Sequence, residues 1–249
     1  MTRGVALVTG ATRRLGRVLA LAAAGAGHDL ALHYRSDSGE AEETAEAVRS
    51  LGRQAVALPG DLTDAAALPG LIAAASALGP VTLLVNSASL FAGDSLETTT
   101  EDLIDEHMAV NLTAPVLLSQ AFARALPPEH RGLIVHMLDQ RVWRPNPQFF
   151  SYSLSKAALW HATQTMAQAL APRIRVNAIG PGPTLPSIHQ VPGEFEAEAA
   201  GTLLQQPVDP EEMGHALRYL IDAGSVTGQM IAVDSGQHLG WRTPDIVQP

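Results

Sequence analysis

Cysteine is absent from the 249 residues, which excludes disulfides and thiolate metal sites. Charge is sparse and unbalanced: 16 basic residues face 25 acidic ones, a formal net charge of −9. That balance keeps a chain soluble and disfavours a polyanionic partner such as DNA or RNA, while leaving room for a local basic pocket around a small phosphate. No apolar run is long enough to span a bilayer, because the most apolar segment, Leu19 to Leu32, is interrupted by Gly25, Gly27, His28 and Asp29. The opening MTRGVALVTG lacks the apolar stretch of a signal peptide and enters an apparent first strand directly. Internal repeats and Gly/Ser linkers are missing as well, so residues 1–249 are expected to form a single domain. The histidines show no H-E-x-x-H spacing, and no metal is expected. The 46% of hydrophobic residues supplies one large core and argues against disorder. These bounds describe a soluble globular protein, expected in the cytoplasm and without membrane contact.

Short apolar runs alternate with alanine-rich stretches. Strands are expected at Val5–Thr9, Asp29–Tyr34, Ala55–Leu58, Val81–Val85, Leu133–Met137, Arg175–Ala178 and Met230–Val233. Helices are expected near 15–25, 40–51, 65–78, 101–125, 152–170 and 211–222. Strands that are apolar on both faces and alternate with helices imply a parallel sheet, doubly wound in the Rossmann manner, of about seven strands. The Pro- and Gly-rich segment 183–209 departs from this rhythm and follows a strand. In such sheets ligands lie beyond the carboxyl ends of the strands, so the segment is read as a substrate lid. The alternative is a surface excursion with a short helix around 194–204.

The first strand runs into TGATRRLG, Thr9 to Gly16, and then a helix. Gly10 permits a sharp turn, Gly16 lets helix and sheet approach, and the free N–H groups of the helix start favour a phosphate. Arg14 replaces the middle glycine of the usual dinucleotide fingerprint, flanked by Arg13 and Leu15. The second strand ends in Tyr34, Arg35 and Ser36, without an acid at its tip for a ribose 2′-hydroxyl, and Arg35 with Ser36 suits a 2′-phosphate. NADP(H) is therefore expected over NAD(H). Asp37, slightly beyond the tip, is the one residue that argues the other way.

Tyr152 and Lys156 stand four apart on an expected helix, hence on one face. A free phenol has a pKa of about 10. An ammonium about 4 Å away at an effective dielectric of about 20 favours phenolate by at most about 4 kcal/mol. That lowers the pKa by at most about 3. Thirteen residues before Tyr152, the strand GLIVHM runs through Leu138 into Asp139. A carboxylate there can cap a turn, hold a metal or take part in chemistry. His136, inside the same strand, reads as a hydrogen-bonded core residue. Trp143, Phe149 and Phe150 flank the segment and cover either the pocket or an oligomer interface.

On these motifs the chain resembles the short-chain dehydrogenase/reductase family over nearly its whole length. The matching residues are Thr9–Gly16, Asp61 and Leu62 after the third strand, Asn86, Ser87 and Ala88 after the fourth, Asn111 in the long helix, Tyr152 with Lys156, and Pro181 with Gly182 after the sixth. The resemblance implies that Tyr152 is the proton donor, that Lys156 holds the nicotinamide ribose and lowers the tyrosine pKa, and that Asn111 organises a relay water. Asp61 and Leu62 would flank the adenine, and Thr184 would line the pocket. It also implies a homo-oligomer, usually a tetramer. The family's N-N-A-G reads N-S-A-S here, which leaves its backbone role intact.

Most of the family carries a serine where Asp139 stands, to donate to a substrate carbonyl. An ionised carboxylate can only accept. Arg14, Asp139 and Phe91 together are similar to the pteridine reductase branch, which includes bacterial dihydromonapterin and dihydrofolate reductases, and Gly236–Trp241 is similar too. That likeness implies Arg14 and Ser89 near cofactor phosphate and pterin, Phe91 stacked on the pterin, and Asp139 with Tyr152 at its N–H edge. The expected activity is NADPH-dependent reduction of a pterin-type C=N bond. The rivals are a generic reductase of 3-oxoacyl or other carbonyl substrates and a non-catalytic NADP(H)-binding regulatory protein.

Overall fold

A computed structural model describes residues 3–187 and 190–242. Seven parallel strands form one sheet in the order β3-β2-β1-β4-β5-β6-β7. They are β1 Val5–Val8, β2 Asp29–Tyr34, β3 Ala55–Pro59, β4 Val81–Asn86, β5 Gly132–Met137, β6 Ile174–Pro181 and β7 Met230–Val233. The helices are α1 Arg14–Gly25, α2 Ser38–Ser50, α3 Leu68–Ala75, α4 Glu101–Met108, α5 Ala114–Ala125, α6 Phe150–Leu170, α7 Glu194–Ala200 and α8 Pro210–Asp222.

The two-residue period of β1 decides the layers. Ala6 and Val8 face one core with Leu19 of α1, Val48 of α2 and Leu217 of α8. Val5 and Leu7 face the other with Leu68 of α3, Leu118 of α5 and Ala167 of α6. Apolar burial on both faces explains why the central strands read as continuous hydrophobic runs. The chain winds outward from β1 to β3, then returns to place β4 beside β1. A crevice opens where the strand order reverses, and the loops that follow β1, β4, β5 and β6 gather at that end.

Differences from the expected elements have local causes. The expected helix over 101–125 is interrupted by a π-helical turn at Ala109–Thr113. Pro115 has no N–H to give the carbonyl of Asn111, so the register slips there. The helix expected over 65–78 is confined to Leu68–Ala75 and a 3₁₀ turn, because the Asp64 side chain takes the N–H groups of Ala66 and Ala67. β6 runs longer than expected because Gly180 and Pro181 pair with Ala232 and Val233. Segment 183–209 contains α7, shorter than the expected 194–204, and is tied down by Val208 N to Pro183 O at 2.9 Å and Leu204 N to Ser235 O at 3.0 Å. Residues 188 and 189 of that segment lie outside the described residues. Among the described residues no helix is long and apolar enough to cross a membrane.

Phe122 of α5 is fully buried, and a Cβ on Gly132 would lie 2.8 Å from its ring. The β5 glycine thus makes room for the largest side chain of that core. Phe122→Ala is expected to cost about 3–5 kcal/mol, read as a lowered urea midpoint at unchanged slope.

Candidate active site

The loop after β1 is shaped by close approach. Gly10 has φ +63°, and a Cβ on Gly16 would fall 1.9 Å from the Gly10 carbonyl oxygen. Arg14 keeps the backbone of the glycine it replaces, with φ +51°. Its guanidinium crosses to the segment after β6, donating to Pro186 O at 3.0 Å and Leu185 O at 3.4 Å. Arg13 is exposed and Leu15 half-buried at the start of α1. Two residues hold this loop, Thr9 from the expected motif and His33 from outside it. Thr9 Oγ1 accepts from the N–H groups of Ser87 and Ala88, both at 3.0 Å, joining the ends of β1 and β4. His33 Nδ1 accepts from Gly10 N at 3.2 Å, which leaves Nε2 to donate to Gly60 O at 3.2 Å. Burial holds the His33 pKa below its usual value, consistent with this neutral tautomer.

At the tip of β2, Tyr34 is half-buried while Arg35 and Ser36 are exposed. Asp37 accepts from Gly39 N at 2.9 Å and Glu40 N at 3.1 Å, capping α2. Its carboxylate is thereby committed to the helix, which removes the main objection to a 2′-phosphate there. Leu62 is buried. Asp61 is exposed and accepts from Thr63 N and Oγ1, bonds that hold its carboxyl below the usual value. Pro181 and Gly182 end β6 against the end of β7, and the Thr184 hydroxyl donates to Gly182 O at 3.0 Å.

The Tyr152 hydroxyl donates to Asp139 Oδ2 at 3.0 Å, and Arg141 N donates to Asp139 Oδ1 at 2.8 Å. Lys156, buried on the same helix, donates from Nζ to Met137 O at 2.8 Å and lies 5.6 Å from the Tyr152 ring centroid. Burial, ahead of smaller opposing pulls from Arg141, Tyr152 and Lys156, pushes the Asp139 carboxyl above 3.8. The lysine does not lower the tyrosine pKa as expected. Burial, then the charge of Asp139 and the hydrogen bond to it, push the phenol well above 10. Only the Arg141 charge pulls it back, and burial lowers the pKa of Lys156 itself to about 8. Asp139 is thus both the turn residue of one reading, through Arg141 N, and the phenol's partner of the other.

Asn111 sits buried in the π turn and clamps the loop after β4. Its Oδ1 accepts from Leu90 N at 2.9 Å and from the Ser89 hydroxyl at 3.2 Å, while Nδ2 donates to Leu90 O at 2.9 Å and Ser155 Oγ at 3.0 Å. That loop carries Phe91, stacked on Phe149 with centroids 4.2 Å apart and edge-on to Tyr152 at 4.7 Å. The Arg141 guanidinium lies 4.9 Å from the Phe149 centroid. Phe149 therefore packs on Phe91 beside Tyr152, whereas Trp143 packs against Trp160 and His238. A further chain went unread in the sequence: His107 Nε2 accepts from Ala92 N, so Nδ1 donates to Ser151 Oγ at 2.8 Å, and Ser151 donates to Asp94. His136 is a core histidine bonded to Asn86 Nδ2 at 3.2 Å, its pKa lowered to about 3 by burial and then by Lys156. None of these partners shares a sequence spacing with its neighbour, which is why spacing did not find them.

Between 3.8 and its folded pKa, Asp139 binds more protons in the native state than unfolded, so it withdraws stability as pH rises. Asp139→Asn is expected to gain melting temperature on the wild type, by more at about pH 8 than at about pH 4. An equal or smaller gap at the higher pH contradicts the assignment.

The family model described as short chain dehydrogenase matches residues 4–195. The structure superposes with TM-score 0.95 on FolM alternative dihydrofolate reductase 1 from Brucella canis complexed with NADP, at 47% identity and covering 99% of this chain and 98% of that one. Among curated proteins, an uncharacterized oxidoreductase of Mycobacterium tuberculosis is 34% identical over 93% of this chain and 91% of its own. A galactitol 2-dehydrogenase of Cereibacter sphaeroides is 35% identical over 93% of each.

Proposed function

The chain belongs to the short-chain dehydrogenase family, and on that premise we propose that it is an NADPH-dependent reductase of a pterin-type ring, adding hydride to a C=N carbon and a proton to its nitrogen. The observation that carries the substrate class is the Tyr152–Asp139 hydrogen bond beside the Phe91–Phe149 wall. Ionised, a carboxylate in place of a hydroxyl gives a ketone oxygen no donor; ionised or protonated, it keeps an oxygen that accepts from the N–H edge of a flat heterocycle. The Brucella reductase, alike along nearly its whole length and named for dihydrofolate, supports this reading. The resemblance to a galactitol dehydrogenase is of the family and carries no information about Asp139.

The cofactor is NADP(H), as in the Brucella complex. The residues present fit it. The tight Gly10–Gly16 loop leaves the N-terminal N–H groups of α1 for the pyrophosphate, with Arg13, Arg14 and Leu15 beside them. Arg35 and Ser36, with Tyr34, suit the 2′-phosphate; Asp61 and Leu62 would flank the adenine; Asn86, Ser87, Ala88, Pro181, Gly182 and Thr184 would line the path to the nicotinamide. Tyr152 and Lys156 would hold its ribose. Bound NADPH supplies the hydride.

The remaining chemistry belongs to the chain. Burial and a carboxylate neighbour make a free tyrosinate costly, so Tyr152 passes a proton to the ring nitrogen only as it takes one from Asp139, which in its protonated form donates to the phenol oxygen, the reverse of the bond made by the carboxylate. Asp139, whose raised pKa lets it hold that proton nearer neutrality, is the net acid. Arg14 and Ser89 border the ring, and Phe91 presents it with an aromatic face. Asn111 supports the tyrosine through Ser155 and the Ser89–Leu90 loop. In this reading the whole chain is one domain, 183–209 is its lid, and the protein works in the cytoplasm as a homotetramer.

NADPH oxidation followed with a dihydropterin, dihydrofolate and a 3-oxoacyl thioester tests the reading. Dihydropterin turnover is expected, with Tyr152→Phe and Asp139→Ser each losing about 10²–10⁴-fold. Thioester reduction that survives or improves in Asp139→Ser overturns it.

A further inference from the structure

Arg141 lies two residues beyond Asp139 and is half-buried, its charge facing that carboxyl, yet among the described residues its buried Nη1 has no hydrogen-bond partner. Its Nη1 is the one arginine nitrogen among them that is both sealed and unpartnered, so a ligand reaches it only as the guanidinium turns from the Phe149 ring beside it. Arg53 and Arg175, similarly half-buried, find backbone carbonyls. Desolvating a guanidinium N–H without an acceptor is unfavourable, and buried donors in native proteins are nearly always paired. What holds Arg141 is a ring: its guanidinium carbon lies 4.9 Å from the Phe149 centroid and 5.9 Å from that of Phe91.

A second observation concerns the same place. Phe149 adopts φ +53°, ψ +55°, left-handed backbone that a phenylalanine rarely takes. Such conformations persist where surrounding contacts over-determine them, and they cluster at ligand sites. Here the strain aligns Phe149 on Phe91 within 16° of parallel and brings it under the guanidinium. The outcome is a flat aromatic wall edged by an acceptor, Asp139, and a fork of donors, Arg141.

We infer that Arg141 is a substrate-recognition residue whose guanidinium donates to an oxygen acceptor on the substrate, a ring carbonyl or a carboxylate. The inference rests on the pterin-type reading of the site. Asp139 takes an N–H of the substrate and Arg141 an oxygen, so the pair reads a donor–acceptor pattern that an aliphatic ketone lacks. The positive charge also faces Asp139 and Tyr152, where it opposes the effect of burial on both.

The test compares wild type, Arg141→Met and Arg141→Lys at saturating NADPH, with a dihydropterin bearing a neutral side chain and with dihydrofolate, which adds carboxylates. NADPH binding by fluorescence reports folding of each variant. Losing one charge-assisted hydrogen bond is expected to raise KM by about ten- to a hundredfold in Arg141→Met, with kcat changing less. Arg141→Lys keeps the charge but not the planar fork and is expected to fall between; it carries the comparison if the methionine variant binds no NADPH. A rise with both substrates identifies the ring carbonyl, and a rise with dihydrofolate alone identifies the carboxylate. Unchanged KM for both, or a loss confined to kcat, overturns the inference. A wild type that reduces neither compound refutes the pterin reading itself and takes this inference with it.

Discussion

The hydrogen bond from the Tyr152 hydroxyl to Asp139 joins the end of β5 to the first turn of α6, and most of what surrounds it sets its geometry or its charge. Lys156 repeats the same link one turn later by donating to Met137 O. Burial raises the pKa of both the phenol and the carboxyl. Two groups that each resist ionisation and share a hydrogen bond form a proton reservoir, and one that avoids the separate phenolate a lone tyrosine would need.

Around this bond the loops are pinned by buried polar contacts. Thr9 binds the loop after β4 to the end of β1, and His33 binds the loop after β1 to the end of β3. Asn111, displaced into a π turn, grips Ser89, Leu90 and Ser155 together. Ser151, next to Tyr152, is fixed by Asp94 and His107. Each contact removes a freedom that would otherwise be lost when ligand binds, so positioning is built in before the chemistry begins.

The order of elements was legible because both-face burial writes parallel strands as apolar runs, and the seven-stranded sheet follows from them. The π turn was not, since its cause is the missing N–H of Pro115 acting on a carbonyl four residues back. At the site, the carboxylate thirteen residues before the tyrosine was readable as a partner, and the two do meet. The direction of the tyrosine pKa was not readable. The i,i+4 spacing brings Lys156 to the ring but says nothing of burial or of the Asp139 charge, which together set the direction. Phe149 was singled out, but its pairing with Arg141 escaped because it depends on a left-handed backbone at Phe149, which no local motif announces.

The pH dependence of kcat/KM for dihydropterin reduction tests the central claim most directly. If Asp139 is the net acid acting through Tyr152, activity falls on the alkaline side with an apparent pKa above the ordinary carboxylate value and well below the phenol value of about 10. A limb at or above about 10, or activity that climbs steadily with pH, contradicts the account.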